Sequence, residues 1–113
     1  MHGTAVKFFG YGNRLVVDDA AEIFYQALQD CNTHLPHDEH ARMGVEVKTY
    51  RSGDVKLTLA PGRQMTWNMY HQALLLIVLF AHDYGCLRMS FDVWSRGFGV
   101  GSVGTGRMGQ FQE

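Results

Sequence analysis

Three histidines stand three residues apart in the middle of the chain, at His34, His37 and His40, and two carboxylates lie between the last two. Imidazole nitrogens and carboxylate oxygens are common zinc ligands, so the segment is a weak candidate metal site. Pro36 interrupts helical geometry, and the three side chains therefore need not share a face. A solvated loop is the expected state, and we expect no metal and no other cofactor.

A second group with possible chemistry consists of polar residues placed among apolar neighbours: His71, His82, Asp83 and Asp92. Each is able to move a proton as a general acid or base. Their spacing shows no pairing of a nucleophile with a base, so they are weak candidates and the catalytic residues stay unassigned. The two histidines are expected on the rim of a helix.

A G-x-G-x-x-G pattern runs from Gly99 to Gly104. A dinucleotide site needs a helix after this pattern, because the N-terminus of that helix holds the pyrophosphate. Only nine residues follow Gly104, too few for a helix and another strand. The pattern instead predicts a bent strand with a bulge near Gly101 or Ser102, where glycines allow close backbone approach.

The two cysteines, Cys31 and Cys86, are predicted to be free thiols. Cys31 lies on the apolar stripe of a predicted helix, where a buried thiol is the ordinary state. If the two predicted helices run antiparallel, their C-terminal ends lie at opposite ends of the domain. A Cys31–Cys86 bridge would then be too long.

Size and charge bound the class of protein. The chain has 113 residues, 46% of them hydrophobic and 19% charged, which is typical of a single folded domain over residues 1–113. The net charge of −1 offers no basic excess for a phosphate backbone, so a nucleic-acid binder is not expected.

The apolar run Ala73–Ala81 is far shorter than the about 20 residues that span a bilayer, so no transmembrane segment is expected. Met1 and His2 precede a strand-like run, which suggests a trimmed N-terminus. The location would be secreted or endomembrane if a targeting segment was removed, and cytoplasmic otherwise.

Hydrophobic periodicity and turn residues predict seven elements in the order β-α-β-β-α-β-β. The predicted segments are a strand at 4–9, a helix from a cap at Asp18 or Asp19 to the residue before Pro36, hairpin strands at 45–50 and 55–59, a helix from a cap at Thr66 to Tyr84, and strands at 87–94 and 98–108. This order predicts an α+β two-layer sandwich with an antiparallel sheet and both helices on one face. It is a ferredoxin-like variant with the last strand appended.

The second helix carries more apolar surface than a two-layer sandwich needs. On a helical wheel, Tyr70, Leu74, Ile77 and Ala81 form the core stripe, whereas Leu75 and Leu79 fall in the middle of the polar side and Leu76 on its edge. Either the Gly-rich tail or the 36–42 loop covers this side, or it is a partner interface, a hydrophobic ligand site or a membrane-surface contact. The predicted ligand- or partner-binding residues are Trp67, Tyr70, Leu75, Leu76, Leu79 and Trp94. The three aromatic residues are expected first in the core or an interface, and as ligand-stacking residues only by extension.

Several motifs resemble a group of small, largely uncharacterised fungal proteins. The motifs are the Leu57-Thr58-Leu59 strand followed by Pro61-Gly62, the Met65-Thr66-Trp67-Asn68-Met69-Tyr70 helix start, and the closing Val103-Gly104-Thr105-Gly106 strand. The resemblance covers about half of the chain and brings no catalytic residues with it. It implies a fungal source and either a secreted, effector-like role or an accessory role in secondary-metabolite biosynthesis.

These observations favour a binding or accessory protein that uses the apolar helix face to hold a hydrophobic small molecule or a protein partner. A homo-oligomer formed through the second helix is one form of that hypothesis. A cofactor-free cyclase or isomerase acting on a lipophilic intermediate is the first alternative. A secreted effector or toxin-like protein is the second.

Overall fold

The computed structural model describes residues 3–34, 41–95 and 102–110. Their helices and strands are β1 (Thr4–Phe9), α1 (Val17–His34), β2 (Lys48–Ser52), β3 (Val55–Pro61), α2 (Trp67–Tyr84), β4 (Met89–Ser95) and β5 (Gly104–Gln110). The order β-α-β-β-α-β-β is the one that the sequence predicts. The five strands form one sheet, and the α+β sandwich is confirmed.

The strand order across the sheet is β1-β4-β5-β3-β2, and every neighbouring pair is antiparallel. The last strand is therefore not appended at an edge but lies at the centre, between β4 and β3. The reason is directional. Because β3 and β4 are both antiparallel to β5, they run in the same direction and are joined by α2, so one antiparallel strand fits between them.

One face of the sheet packs against both helices and forms the core. Alternate residues of each strand point to this face, among them Leu57 in β3 and Phe91 in β4, with 0% and 2% of their surface exposed. From the helices, Ile23, Leu74 and Ile77 close the core at 1% exposure or less. No described helix packs on the other face of the sheet, which we call its open face.

Glycines of β5 make room for two core side chains. A Cβ atom on Gly104 would lie 2.6 Å from the Met65 Sδ, and one on Gly106 would overlap the Phe91 ring. The close approach predicted for this strand is therefore present, and side chains from neighbouring elements make it. The proposed bulge residue Gly101 and residues 98–100 lie outside the described ranges, and β5 begins at Gly104.

The ends of α2 follow the sequence signals. The Thr66 hydroxyl accepts a hydrogen bond from the Met69 amide at 3.2 Å, which confirms the predicted N-cap. At the other end, the Gly85 amide donates to the Ala81 carbonyl at 2.9 Å, and Gly85 has a φ of 94°, which favours glycine.

The start of α1 differs from the prediction. The helix begins at Val17, so Asp18 and Asp19 lie within its first turn rather than at its cap. Acidic side chains are favourable there because of the helix dipole. The Asp19 carboxylate also accepts a hydrogen bond from the Ser52 hydroxyl at 3.0 Å, and this bond ties the start of α1 to the β2–β3 hairpin.

The hairpin is shorter on its first strand than the alternating pattern predicts. β2 begins at Lys48, and the preceding Val45 and Val47 are 64% and 57% exposed. Alternation alone predicts a strand there, but no other strand pairs with these residues in the described part of the chain. The turn is at Gly53 and Asp54, as predicted, and Gly53 has a φ of 56°.

Candidate functional site

An open apolar groove runs between the edge strand β1 and the flank of α2. We call it the α2–β1 groove. Its volume is about 370 Å³, and Asp83 is the one charged residue among the described residues that line it. It is lined by Thr4, Ala5, Val6, Phe8, Leu76, Leu79, Phe80, Asp83 and Tyr84. An apolar groove with a single charge at one end is suited to apolar side chains.

Helical spacing places the α2 side of this groove. Leu76, Phe80 and Tyr84 recur every four residues and so share one flank of the helix, and Leu79 lies beside them. On the strand side, period-two alternation turns Val6 and Phe8 toward the same space. The groove thus lies between one flank of α2 and the residues of β1 that point toward it.

Aromatic rings of the groove lining contact one another and the neighbouring Tyr11. The Phe80 ring lies 4.1 Å from the Phe8 ring and 5.9 Å from the Tyr11 ring, centroid to centroid. Tyr84 follows at 5.0 Å from Phe80. Tyr11 and Tyr84 are 58% and 66% exposed, so the cluster extends the apolar surface beyond the groove itself.

Part of the binding set predicted from the sequence lies on this surface. Leu79 is 55% exposed and Leu76 is half-buried, and both line the groove. Leu75 is 37% exposed on the outer side of α2, outside the groove lining. Residues 35–40 lie outside the described ranges, and the Gly-rich strand lies within the sheet rather than over α2.

The three aromatic residues of the predicted set lie elsewhere. Trp67 and Tyr70 are core residues, 4% and 1% exposed, because the first turns of α2 face the sheet and α1. Trp94 is half-buried on β4, where strand alternation turns it to the open face of the sheet. None of the three lines the α2–β1 groove.

A polar cluster between α1 and β2, away from the α2–β1 groove, was not predicted from the sequence. The Tyr50 hydroxyl donates to the Asp30 carboxylate at 2.7 Å. The buried Tyr70 hydroxyl lies beside that of Tyr50, without a hydrogen bond of good geometry to any described group. Alternation counted from Val45 predicts Tyr50 on the outer face of its strand, whereas β2 begins only at Lys48 and its pairing with β3 turns Tyr50 inward.

Burial dominates the acid–base behaviour of this cluster. Desolvation raises the pKa of the Cys31 thiol to about 12, and the nearby Asp30 carboxylate contributes to the rise. Desolvation also raises the pKa of the Tyr50 and Tyr70 hydroxyls well above their ordinary range. All three groups are therefore neutral at physiological pH.

Of the weak catalytic candidates, the structure brings together His82 and Asp83, whereas His71 and Asp92 lie apart from them. His71 is half-buried on α2, and His82 is exposed with its Nδ1 atom 3.2 Å from the Asp83 carboxylate. Asp92 lies on the open face of the sheet, opposite Lys7 in the strand register. There it lines a shallow depression of about 450 Å³ together with Phe9 and Arg107. Among these candidates the His82–Asp83 contact is exposed on the surface of α2 and joins sequence neighbours.

Of the three candidate metal ligands, only His34 is described. Its ring stacks on Trp67 at a centroid distance of 3.8 Å, and its Nδ1 atom lies 2.9 Å from the Asp30 carbonyl oxygen. Lys48 places its ammonium 5.2 Å from the centre of the Trp67 ring. His37 and His40 lie outside the described ranges, and the residues within them contain no cluster of three metal-ligating side chains.

Two smaller predictions concern the thiols and the membrane. Cys31 and Cys86 are free, as predicted, and burial also raises the pKa of the half-buried Cys86 thiol. Among the described helices, none combines the length and the hydropathy needed to cross a bilayer.

The comparisons with known proteins assign no family to this arrangement. No protein-family model matches the chain, and no curated protein or solved structure matches it significantly.

Proposed function

We propose that the chain is a binding protein and that the α2–β1 groove is its binding surface. The observation that carries this proposal is Leu79, whose side chain is 55% exposed in a groove beside an edge strand. Burying the exposed part of Leu79 is worth about 1 kcal/mol, and its aromatic neighbours add to that value.

The shape of the groove favours a protein segment over a small molecule. Sites for small molecules bury about 70–90% of their ligand, whereas this groove is open along its length. The outer edge of β1 also presents backbone N–H and C=O groups, and an added strand satisfies such groups best. A hydrophobic small molecule is the second occupant considered, and the volume of about 370 Å³ would admit one.

The biological setting that we propose follows from the resemblance to small fungal proteins. In it the chain is an accessory protein, for example in secondary-metabolite biosynthesis. The cyclase or isomerase alternative needs an enclosed apolar pocket with an acid or base. Asp83 lines the α2–β1 groove, but the groove is open, and His71, His82 and Asp92 are not among its lining residues. The effector alternative would be favoured by a Cys31–Cys86 disulfide, whereas both thiols are free.

A dye that fluoresces on apolar protein surfaces, 8-anilinonaphthalene-1-sulfonate, tests whether the groove binds apolar groups. We expect the folded protein to enhance its fluorescence and Leu79→Glu to lose most of that enhancement, because a carboxylate in the groove repels an apolar, anionic dye. Val45→Glu is the matched control, since Val45 is 64% exposed and lies outside the groove lining.

Circular dichroism spectra must show that both variants fold. Equal fluorescence from Leu79→Glu and Val45→Glu would contradict the proposal, because the dye would then bind elsewhere.

A further inference from the structure

We propose that the occupant of the α2–β1 groove is a second copy of this chain. The two β1 strands pair antiparallel about a two-fold axis, and two five-stranded sheets become one sheet of ten. The two α2 helices then lie antiparallel above the joined strands. This inference rests on the proposed function, because both assign binding to the same groove.

In the described part of the chain, the sheet protects its β2 edge and leaves most of its β1 edge open. At the β2 edge, the Gln26 side chain donates to the Arg51 carbonyl at 3.1 Å, and α1 packs against the strand. At the β1 edge, a long hydrogen bond of 3.3 Å from the Tyr11 hydroxyl reaches the carbonyl of Phe8, near the end of the strand. Among the described residues, no strand pairs with the rest of that edge.

The sequence of β1 allows this strand to pair with the β1 strand of a second copy. Its sequence is Thr-Ala-Val-Lys-Phe-Phe, rich in residues that favour strands, and Lys7 is its one charged residue. An antiparallel pairing centred on Ala5 or on Val6 places Lys7 opposite Gly3 or Ala5 of the other copy. Neither register brings like charges together.

The flank of α2 that lines the groove is complementary to the same flank of a second copy. It contains no Lys or Arg, and Asp83 is its one acidic residue. In an antiparallel helix pair centred between Leu76 and Leu79, each Leu76 meets the Leu79 of the other copy. The same alignment brings each Asp83 to the Gln72 of the other copy, where an amide N–H can donate to the carboxylate. The two Asp83 carboxylates stay apart.

The size of the contact sets the expected affinity. A six-residue strand is about 20 Å long, and a sheet with one helix layer stands about 20 Å high. The contact therefore covers about 400 Å² on each copy, below the about 800 Å² of a standard stable interface. We expect a reversible dimer with a dissociation constant in the micromolar range.

Sedimentation equilibrium over a concentration series tests the dimer directly. The unmodified chain is expected to pass from monomer to dimer with rising concentration, and Leu79→Glu to raise the dissociation constant about tenfold or more. Val45→Glu is expected to leave it unchanged. A chain that stays monomeric to about 1 mM would overturn the inference.

Cross-linking tests the strand pairing independently of any apolar substitution. With Cys86 replaced by serine, Ala5→Cys should give a covalent dimer with a short bis-maleimide. Ala60→Cys should not, because Ala60 is equally exposed but lies on the central part of the sheet. Equal cross-linking of both variants would overturn pairing through β1.

The two hypotheses fail separately. A monomeric chain whose dye binding depends on Leu79 would keep the proposed function and remove the second copy as the occupant. A dimer that persists in Leu79→Glu, with dye binding also unchanged, would remove both.

Discussion

Both edges of the sheet are single β-strands, but they differ in charge and in the side chains that cover them. The β2 edge carries Lys48 and Arg51, and side chains of α1 hold it through Tyr50–Asp30, Ser52–Asp19 and Gln26–Arg51 hydrogen bonds. The β1 edge carries one charge and adjoins stacked aromatic rings and exposed leucine. Natural sheets protect their edges with charges or cover, so an edge with a single charge and no described element over it is available for a partner.

Truncating one aromatic residue at each edge should give the largest difference. Tyr50→Ala is expected to lower the free energy of unfolding by about 3–5 kcal/mol, because Tyr50 is 9% exposed and its removal opens a cavity. Phe8→Ala should cost about 2 kcal/mol, because Phe8 is only partly buried. Urea unfolding followed by circular dichroism measures both values.

Tyr50→Phe is the control for the hydroxyl alone and should cost about 1 kcal/mol through the lost bond to Asp30. Equal losses for Tyr50→Ala and Phe8→Ala would break the contrast between a closed and an open edge.

The next largest effect is expected at alkaline pH, where ionisation of Cys31, on the β2 side of the molecule, should lower the free energy of unfolding. An unfolded Cys31 thiol ionises at its ordinary pKa of 9.0, whereas burial in the folded chain raises the pKa to about 12. The stability from keeping the thiol neutral is complete below pH 9 and is lost as the pH rises from 9 toward 12. The loss should be about 1 kcal/mol by about pH 10.

Two matched variants test the assignment to Cys31. The fall in unfolding free energy between about pH 8 and about pH 10 should be smaller in Cys31→Ala than in Cys86→Ala, because Cys31 is fully buried and Cys86 only partly. The opposite order would place the titrating thiol near Cys86.

The smallest expected effect is on the β1 edge itself. Ala5→Lys gives that edge the kind of charge that β2 already has. The introduced ammonium would face its own counterpart or Lys7 of a second copy, depending on which proposed register forms, and the dissociation constant should rise about fivefold. Because Ala5 is exposed, stability should stay unchanged. Tighter association, measured by sedimentation equilibrium, would contradict pairing through β1.

Local signals predict much of this fold because their causes are local. The Thr66 cap, the Gly53–Asp54 turn and the order of the elements depend on residues within a few positions of one another. The surplus apolar side of α2 also follows from helical spacing alone, and Leu79 is exposed where the wheel places it.

Pairing between distant segments is not predictable in the same way. The sequence of β5 does not show that this strand lies between β4 and β3. Without that strand order, β1 could not be identified as the edge strand that lines the groove. Tryptophan is a residue type expected at ligand sites, but the position of Trp67 at the start of α2 turns its ring against His34. Its low exposure of 4% follows from that packing and not from residue type.

The central place of β5 has a consequence for folding during synthesis. The ribosome makes β5 after the other four strands, and β5 alone joins the β1–β4 pair to the β3–β2 pair. Until it is released, the facing edges of β4 and β3 are both unpaired, and closing the sheet waits for contacts distant in sequence. A chain stalled before Gly104 therefore carries two additional open edges, and in that interval aggregation competes most strongly with folding.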